Sequence, residues 1–263
     1  MIIDANVHVT PDGRWLVPQY SAGEKDLLFQ LDEAGVDKAV LVSLPGLSPN
    51  EFVLEVCRRH PGRLLPVGSF NPMAYSAGGI ADGAKKKLMD RGFIGVKLHP
   101  RMGRFDLLDP QVGHFLDEVA GWANPPRIWI CTFLHYKGGK LAKSPVETLH
   151  EIVGRYPGIT FILAHAGGPD ILRMANAIRD CPNAFLDLSW TLTKYRGSSV
   201  ETDIRYLVNT FEARMLFGSD FPETRISEAV ASLETICRTS KLGACKAVFA
   251  DTMCHVLGGT NIL

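Results

Sequence analysis

Side chains that can bind a metal ion or transfer a proton stand at the ends of separate apolar runs. The run "WICTFLH" ends at His135, "ITFILAH" ends at His165 and "MLFGSD" ends at Asp220, while a fourth run near the start contains Asn6 and His8. Imidazole nitrogens and carboxylate oxygens bind Zn²⁺ and similar ions, and they also serve as general acids and bases. The recurrence predicts that these runs bring one reactive site together.

The chemistry open to such a set is the activation of water. One coordination position would stay free for water on a divalent ion held by a donor set of His8, His135, Asp220 and, as a further candidate, His165. The ion would lower the pKa of this water from ~16 towards ~7. Asp220 could then accept the proton, and a histidine that does not bind the ion could stabilise an oxyanion or protonate a leaving group.

The elements that must position these groups follow an alternating pattern. Apolar runs of strand length alternate with amphipathic segments of helical period, of which the clearest are 49–60, "SPVETLHEIVGRYPG" from Ser144, 169–180 and 198–212. The predicted strands are residues 2–8, 37–44, 64–70, 93–98, 127–134, 159–165, 184–189 and 214–219. Because each parallel connection needs its own crossover helix, the pattern predicts a single-domain α/β fold, a (β/α)8 TIM barrel over 1–263.

The main rival is an open, doubly wound sheet. Such a fold would be expected to carry a glycine-rich phosphate turn after an early strand, and the sequence has no G-x-G-x-x-G or Walker-type string. Residues 9–24 form a longer first loop that could lie over the barrel mouth. A helical tail from about 241 is expected to pack outside the barrel.

Two helix starts are predicted in detail. Asn50 is expected to cap the helix of 49–60, and Ser144 to cap the next example, with Pro145 at its first helical position.

Alternation along the strands predicts which polar groups share the barrel interior. Asp4, Asn6 and His8 fall on one face, as do Lys97 and His99, and also Asp187 and Ser189. Enzymes of this architecture place their reactive groups at the carboxyl ends of the strands.

Composition narrows the classes of partner. The number of lysine and arginine residues equals that of aspartate and glutamate, 28 each, so the chain has no net charge that would favour binding to nucleic acid. No apolar stretch approaches the ~20 residues needed to cross a bilayer. We expect a small-molecule anionic substrate, and exposed apolar helix faces could support a homodimer. The six scattered cysteines and the lack of a signal peptide predict reduced thiols in a cytoplasmic protein.

The ordered strings of this chain resemble the amidohydrolase superfamily, in its amidohydrolase-related (amidohydrolase 2) branch of TIM-barrel metal-dependent hydrolases and decarboxylases. The resemblance extends from Ile3 to the C-terminal helix and rests on "NVH", "GVKLHP", "FLH", "ILAHAGG", "FLDLS" and "LFGSDFP". It implies a mononuclear metal bound by a strand-one histidine pair, a strand-five histidine and the strand-eight aspartate. Carried over by position, the ligands are His8, His135 and Asp220, and His165 assists catalysis or completes the site.

The chain departs from this pattern at Asn6, which replaces the first histidine of the strand-one pair. Its amide oxygen is a poorer zinc ligand than imidazole, so Zn²⁺ is the first expectation, Mn²⁺ or Mg²⁺ are alternatives, and the metal could be absent altogether. Some relatives, lactonases acting on pyrone dicarboxylates, are described as working without metal. In that case His8, His165 and Asp220 would polarise the carbonyl and activate water unaided.

Further residues are expected to contact the substrate. Lys97, His99 and Arg101 could receive a carboxylate or phosphate, and the pocket wall is predicted to include Ser189, Trp190 and Arg225. Cys131 is predicted to face the interior as a core residue rather than as a nucleophile.

These features predict an enzyme that hydrolyses an ester, lactone or amide bond, or decarboxylates, in a small anionic substrate. Asp220 is the expected base, His165 the second acid or base, and His8 with His135 the metal ligands, with Asn6 as a weak ligand. Two alternatives stay open: a metal-independent lactonase of the same fold, and a non-catalytic ligand-binding barrel with a degraded metal site.

Overall fold

Eight parallel strands form one sheet whose spatial order equals their order in the chain. The computed structural model describes residues 1–74, 80–135, 139–241 and 243–258. The strands are β1 Ile3–Val7, β2 Lys38–Val42, β3 Leu64–Ser69, β4 Gly95–Leu98, β5 Arg127–Cys131, β6 Phe161–Ala164, β7 Ala184–Asp187 and β8 Met215–Leu216. Every strand lies inside its predicted segment, and the predicted TIM barrel is confirmed.

The barrel closes where the segment that follows β8 meets β1. The amide of Ala5 donates to the carbonyl of Phe217 at 2.9 Å, and the amide of Asp220 donates to the carbonyl of Asn6 at 3.0 Å. A parallel bridge joins Val7 to Phe221. The first and last strands therefore deliver their polar ends to the same place.

Helices and short 3₁₀ turns connect the strands. The 3₁₀ turns include Pro72–Ala74, Met89–Arg91, His165–Asp170 and Glu212–Arg214, and a π-helical turn covers Ala247–Asp251. The α-helices are α1 Glu24–Glu33, α2 Asn50–Arg59, α3 Ile80–Lys87, α4 Pro100–Gly103, α5 Pro110–Ala120, α6 Pro145–Arg155, α7 Ile171–Ala177, α8 Thr191–Lys194, α9 Ser199–Thr210, α10 Ile226–Cys237, α11 Ala244–Lys246 and α12 Thr252–Val256.

An apolar cluster fills the amino-terminal part of the barrel. Residues from seven strands meet in it: Ile3, Ala5, Val40, Val42, Val67, Trp129, Ile162, Phe185 and Leu216. Ala250, Met253 and Val256 from the C-terminal helices join the same cluster. The expectation that the tail packs outside the barrel is therefore wrong, because its apolar face covers the interior at the end opposite the site.

Alternation along β1 is interrupted. Ile3 and Ala5 belong to the interior cluster, whereas Val7 belongs to the larger cluster shared with the helices. The pairing register with β2 shifts between Asp4 and Val7, so strict alternation does not hold across this strand.

The two predicted helix caps have different outcomes. Ser144 caps α6 with a capping box to Glu147 and with Pro145 in the first turn, as predicted. Asn50 does not cap α2, because the cap position is Pro49. The Asn50 side chain instead donates to the carbonyl of Ser69 at 3.0 Å and accepts from its amide at 2.8 Å.

One expectation about the cysteines is also wrong. Cys237 at the end of α10 and Cys245 in α11 form a disulfide, since these helices lie side by side and bring the two Cα atoms to 5.7 Å. Free thiols remain at Cys57, Cys131, Cys181 and Cys254. In the part of the chain that the structure describes, no helix is both long and apolar enough to span a membrane.

The packing of β4 against β5 leaves no room for a side chain at Gly95. A Cβ atom there would lie 2.4 Å from Cζ3 of the buried Trp129 and 2.8 Å from the carbonyl oxygen of Arg127. We expect Gly95→Ala to lower the free energy of unfolding by about 1–3 kcal/mol, as overpacking does. Gly113→Ala is the control, because a Cβ in that helix meets no atom within 4 Å and should stabilise by ~0.5–1 kcal/mol. Urea unfolding measures both, and equal effects would contradict this packing.

Candidate active site

A cavity of about 500 Å³ opens at the carboxyl ends of the strands, on the side opposite the C-terminal helices. Its walls include most of the residues singled out in the sequence: His8, Lys97, His99, Arg101, His135, His165, Trp190 and Asp220. The predicted convergence of strand ends is therefore present in the structure.

The first loop forms part of the cavity wall. The ring of Trp15 stacks on His8 with centroids 5.8 Å apart, and its indole Nε1 donates to Glu223 at 3.0 Å. Trp15 and Leu16 both line the cavity. The loop after β1 and the segment after β8 thus narrow the entrance together.

Asn6, His8 and Asp220 form one contact group at the closure of the barrel. The Asn6 Nδ2 donates to Asp220 Oδ1 at 3.1 Å and to Ser189 Oγ at 3.1 Å. His8 Nε2 lies 3.4 Å from the same Asp220 oxygen, and its Nδ1 is 2.8 Å from the carbonyl oxygen of Val42. A carbonyl can only accept, so His8 Nδ1 carries the proton.

A second group orients His165. Its Nδ1 lies 3.1 Å from the carbonyl oxygen of Ser189, and Ser189 Oγ donates to Asp187 Oδ2 at 2.9 Å. Phe133 stacks on the imidazole with centroids 4.9 Å apart and planes 8° apart. Since Nδ1 faces a carbonyl, the ring presents Nε2 to its other neighbours.

Three site residues have left-handed backbone conformations that non-glycine residues rarely adopt. The φ angles are +68° at His165, +62° at Trp190 and +64° at Asp220. Such strain costs about 1–3 kcal/mol per residue and concentrates at functional sites. Here it occurs in the segments that follow β6, β7 and β8, and all three residues line the cavity.

Asp220 and His165 have pKa values shifted in opposite directions. Burial raises the pKa of Asp220, but His165 and the contacts with His8 more than offset this, so the pKa lies below its usual range. Burial lowers the pKa of His165, but Asp220 and Cys131 outweigh it and raise the pKa to about 9. At neutral pH the pair is therefore a carboxylate beside an imidazolium.

Basic side chains also line the cavity. Lys97 is 1% exposed, and no hydrogen-bond or ion-pair partner is present for it among the described residues. Burial lowers its pKa, while Cys131, Asp187 and Asp220 act in the other direction. Arg101 is exposed at the rim and His99 is buried nearby. These side chains are suited to bind an anionic group of a substrate.

The end of β5 differs from the expectation. The last residue of the strand is Cys131, which lines the cavity together with His99 and His165, whereas His135 lies four residues later with an exposed side chain on the cavity wall. Sequence reasoning placed Cys131 on the interior face but assigned it to packing. The sequence carries no separate signal for this role, because the apolar run continues past Cys131 to His135.

Two other predicted pocket residues lie elsewhere. Arg225 is exposed and pairs with Glu33 at 2.7 Å, so it does not line the cavity. Ser189 is fully buried beneath the cavity and acts as a hydrogen-bond link between Asn6, Asp187 and His165.

The donor set does not fit the metal that the family resemblance implies. Asn6 directs its amide N–H, not its oxygen, at Asp220, and Ser189 holds it in that orientation because the serine hydroxyl already donates to Asp187. Within the described ranges, no three histidine, cysteine, aspartate or glutamate residues converge in a group able to hold a metal. His8 and Asp220 alone would supply only two ligands.

Asp4 lies beneath this group as a buried carboxyl. Its Oδ1 accepts from the amides of Asn6 and Ser219, while Oδ2 has no partner among the described residues. Burial, with a smaller contribution from Asp187, outweighs these hydrogen bonds and raises the pKa from 3.8 to about 7.

This shift predicts a pH-dependent stability. Between about pH 4 and 7 the folded chain keeps a proton on Asp4 that the unfolded chain has released. Stability therefore falls as pH rises through this interval, by up to about 1.4 kcal/mol per pH unit, and this contribution levels off above it. Asp4→Asn should make the slope shallower by removing the contribution of Asp4, because the amide keeps the acceptor and cannot ionise.

Urea unfolding at intervals from pH 4 to pH 8 measures the difference between wild type and Asp4→Asn. The matched control is Asp90→Asn, whose carboxylate is exposed. Parallel stability curves for wild type and Asp4→Asn would contradict the assignment.

Comparison with known proteins gives the family and the fold. The sequence profile of the amidohydrolase family (Amidohydro_2) matches residues 3–235. No curated protein sequence shows significant similarity to the chain.

Three solved structures share the barrel. An uncharacterized TIM-barrel protein from Bordetella bronchiseptica is 21% identical with a TM-score of 0.79, over 97% of this chain and 98% of that one. A probable 2-pyrone-4,6-dicarboxylic acid hydrolase from Acinetobacter baumannii, with citric acid bound, is 17% identical with a TM-score of 0.69, over 98% and 99%. A dihydroxybenzoic acid decarboxylase from Polaromonas sp. JS666, with manganese and an inhibitor bound, is 13% identical with a TM-score of 0.70, over 97% and 96%.

Because the sequence identities to these three structures are low, the structural similarity establishes the fold alone. The family follows from the profile, which covers most of the chain and includes every strand of the barrel. The chain therefore belongs to the amidohydrolase family.

Proposed function

We propose that the protein hydrolyses an ester or lactone bond in a small anionic substrate without needing a bound metal. One observation carries the proposal: Asp220 and His165 line the same cavity, and their pKa values make the first anionic and the second cationic at neutral pH. A base for water and an acid for the carbonyl are the two groups that hydrolysis requires.

The contacts assign a role to each side chain. Asp220 accepts a proton from water as the water attacks the carbonyl carbon, and His8 and Asn6 hold one of its oxygens in place. The imidazolium of His165 donates a hydrogen bond to the developing oxyanion and then a proton to the departing alkoxide. Ser189 and Phe133 hold the ring in its orientation.

The basic side chains of the cavity support an anionic substrate. Lys97 lies in the cavity without a hydrogen-bond or ion-pair partner among the described residues, and Arg101 is placed at the rim. A buried lysine of this kind gains most from a ligand that brings its own negative charge. A cyclic ester with carboxylate groups, as in the name of the pyrone dicarboxylate hydrolase that shares this fold, meets both requirements.

The first test combines chelation with Asp220→Asn. Against a panel of carboxylated lactones and esters, wild-type activity should persist after dialysis with a chelator. Asp220→Asn should lower kcat/KM by about 10²–10⁴-fold, because the amide cannot accept the proton. Asp180→Asn, on an exposed carboxylate outside the cavity, is the control. Activity lost on chelation and restored by Zn²⁺ or Mn²⁺ would contradict metal independence, and no hydrolysis in the panel would support a non-catalytic barrel.

The second test concerns charge recognition at the rim. Arg101→Gln should raise KM for carboxylated substrates by about tenfold, the equivalent of 1.4 kcal/mol, with little change in kcat. Neutral analogues should be unaffected. Arg104→Gln is the matched control, because Arg104 is close in sequence and exposed but does not line the cavity. Equal effects of both substitutions would show that general surface charge, not Arg101, is responsible.

A further inference from the structure

Cys131 is buried in a polar environment, unlike an ordinary core cysteine. The side chain is 2% exposed and lines the cavity together with His99 and His165, and its Sγ lies 4.0 Å from the carbonyl oxygen of Phe133, to which it donates. It belongs to none of the apolar clusters formed by the described residues, whereas Cys57 is part of the largest one. Packing alone therefore does not account for Cys131.

The two imidazoles are oriented by other partners, which leaves one nitrogen of each for the thiol. His165 Nδ1 faces the carbonyl oxygen of Ser189, so Nε2 is the nitrogen available to Cys131. His99 Nδ1 accepts from the amide of Met102 at 3.4 Å, so its Nε2 carries a proton and can donate. A nucleophile beside a base that a third group holds in place is the arrangement of Cys–His enzymes.

Lys97 provides a second, independent observation at this place. Its side chain is almost fully buried, points into the same cavity, and has no hydrogen-bond or ion-pair partner among the described residues. Cys131 is among the groups that interact with it electrostatically. In its protonated form this lysine favours both a thiolate and the negative charge of a bound substrate.

We propose that Cys131 is the nucleophile of the hydrolysis and that the reaction passes through a thioester. This inference rests on the proposed function and deepens it. The thiolate attacks the carbonyl carbon, a C–S bond forms, the C–O bond of the ester or lactone breaks, and His165 gives its proton to the alkoxide. Water then attacks the thioester, Asp220 takes a proton from that water, and the thiolate leaves, so no oxidant or reductant is needed.

The surroundings of the two buried thiols differ. Cys131 lines the cavity together with His99, His165 and Lys97, whereas Cys57 lies in the largest apolar cluster. At Cys57, burial acts without such neighbours and raises the pKa to about 12. The two buried thiols of one chain should therefore differ strongly in reactivity.

The trapping experiment uses Asp220→Asn, in which the second step lacks its base. Incubation with a lactone hydrolysed by the wild type should leave an adduct on Cys131, seen by intact-protein and peptide mass spectrometry. Because the alkoxide of an opened lactone stays attached, the added mass should equal the whole lactone. Cys131→Ala in the same background should give no adduct.

Kinetics and alkylation complete the test. Cys131→Ala should lose about 10³-fold or more in kcat, whereas Cys181→Ser, a free cysteine outside the cavity, should keep wild-type activity. Iodoacetate should modify Cys131 of the native wild type faster than Cys57, Cys181 or Cys254, and a carboxylated substrate should protect it.

The outcomes separate the two proposals. Wild-type turnover by Cys131→Ala overturns the nucleophile and leaves the lactone or ester function standing with direct attack by water. A panel without any substrate, together with selective alkylation of Cys131, overturns that function and supports a reactive thiol. Iodoacetate labelling that favours Cys181 or Cys254 over Cys131 overturns the nucleophile.

Discussion

The hydrogen bond from the amide of Asp220 to the carbonyl of Asn6 is the contact on which the site depends. It belongs to the closure of the barrel, so the same interaction that completes the sheet also sets the carboxylate of Asp220 beside Asn6 and His8. The φ of +64° at Asp220 shows that the chain turns sharply to achieve this. The contacts that close the barrel therefore also position the Asp220 carboxylate.

Closure of the barrel also gathers ionisable side chains at positions buried from solvent. Asp4, Asp187 and Asp220 lie buried at this end of the barrel with Lys97 and His165. Burial raises the pKa of Asp4 and of Asp187, whereas Asp220 keeps its charge because His165 and His8 face it. The same desolvation that makes these groups costly to bury strengthens their interaction with a ligand. The apolar cluster under the C-terminal helices seals the other end and maintains this environment.

Much of this arrangement could be predicted from the sequence because it depends on local pattern. Apolar runs identified all eight strands, and their carboxyl ends identified His8, His165 and Asp220, since strand ends of a parallel barrel must meet. What the pattern could not give depends on where strands stop and on tertiary partners. The run to His135 continues past the end of β5, so Cys131 takes the position at the strand end. The register shift in β1, the Asn50 contact with Ser69 and the Cys237–Cys245 disulfide likewise arise only when distant segments meet.

Two differences from the family pattern complement each other. A metal in such a barrel supplies a strong nucleophile at neutral pH by lowering the pKa of bound water, and it needs imidazole donors at the ends of strands one and five. This chain has Asn6 at the first position, and β5 ends at Cys131, with His135 four residues further along the chain. Asn6 serves the carboxylate as a hydrogen-bond donor, and a thiolate is itself a strong nucleophile at neutral pH. If the site had merely degraded, Cys131 would not be expected to line a cavity together with two oriented imidazoles and a buried lysine.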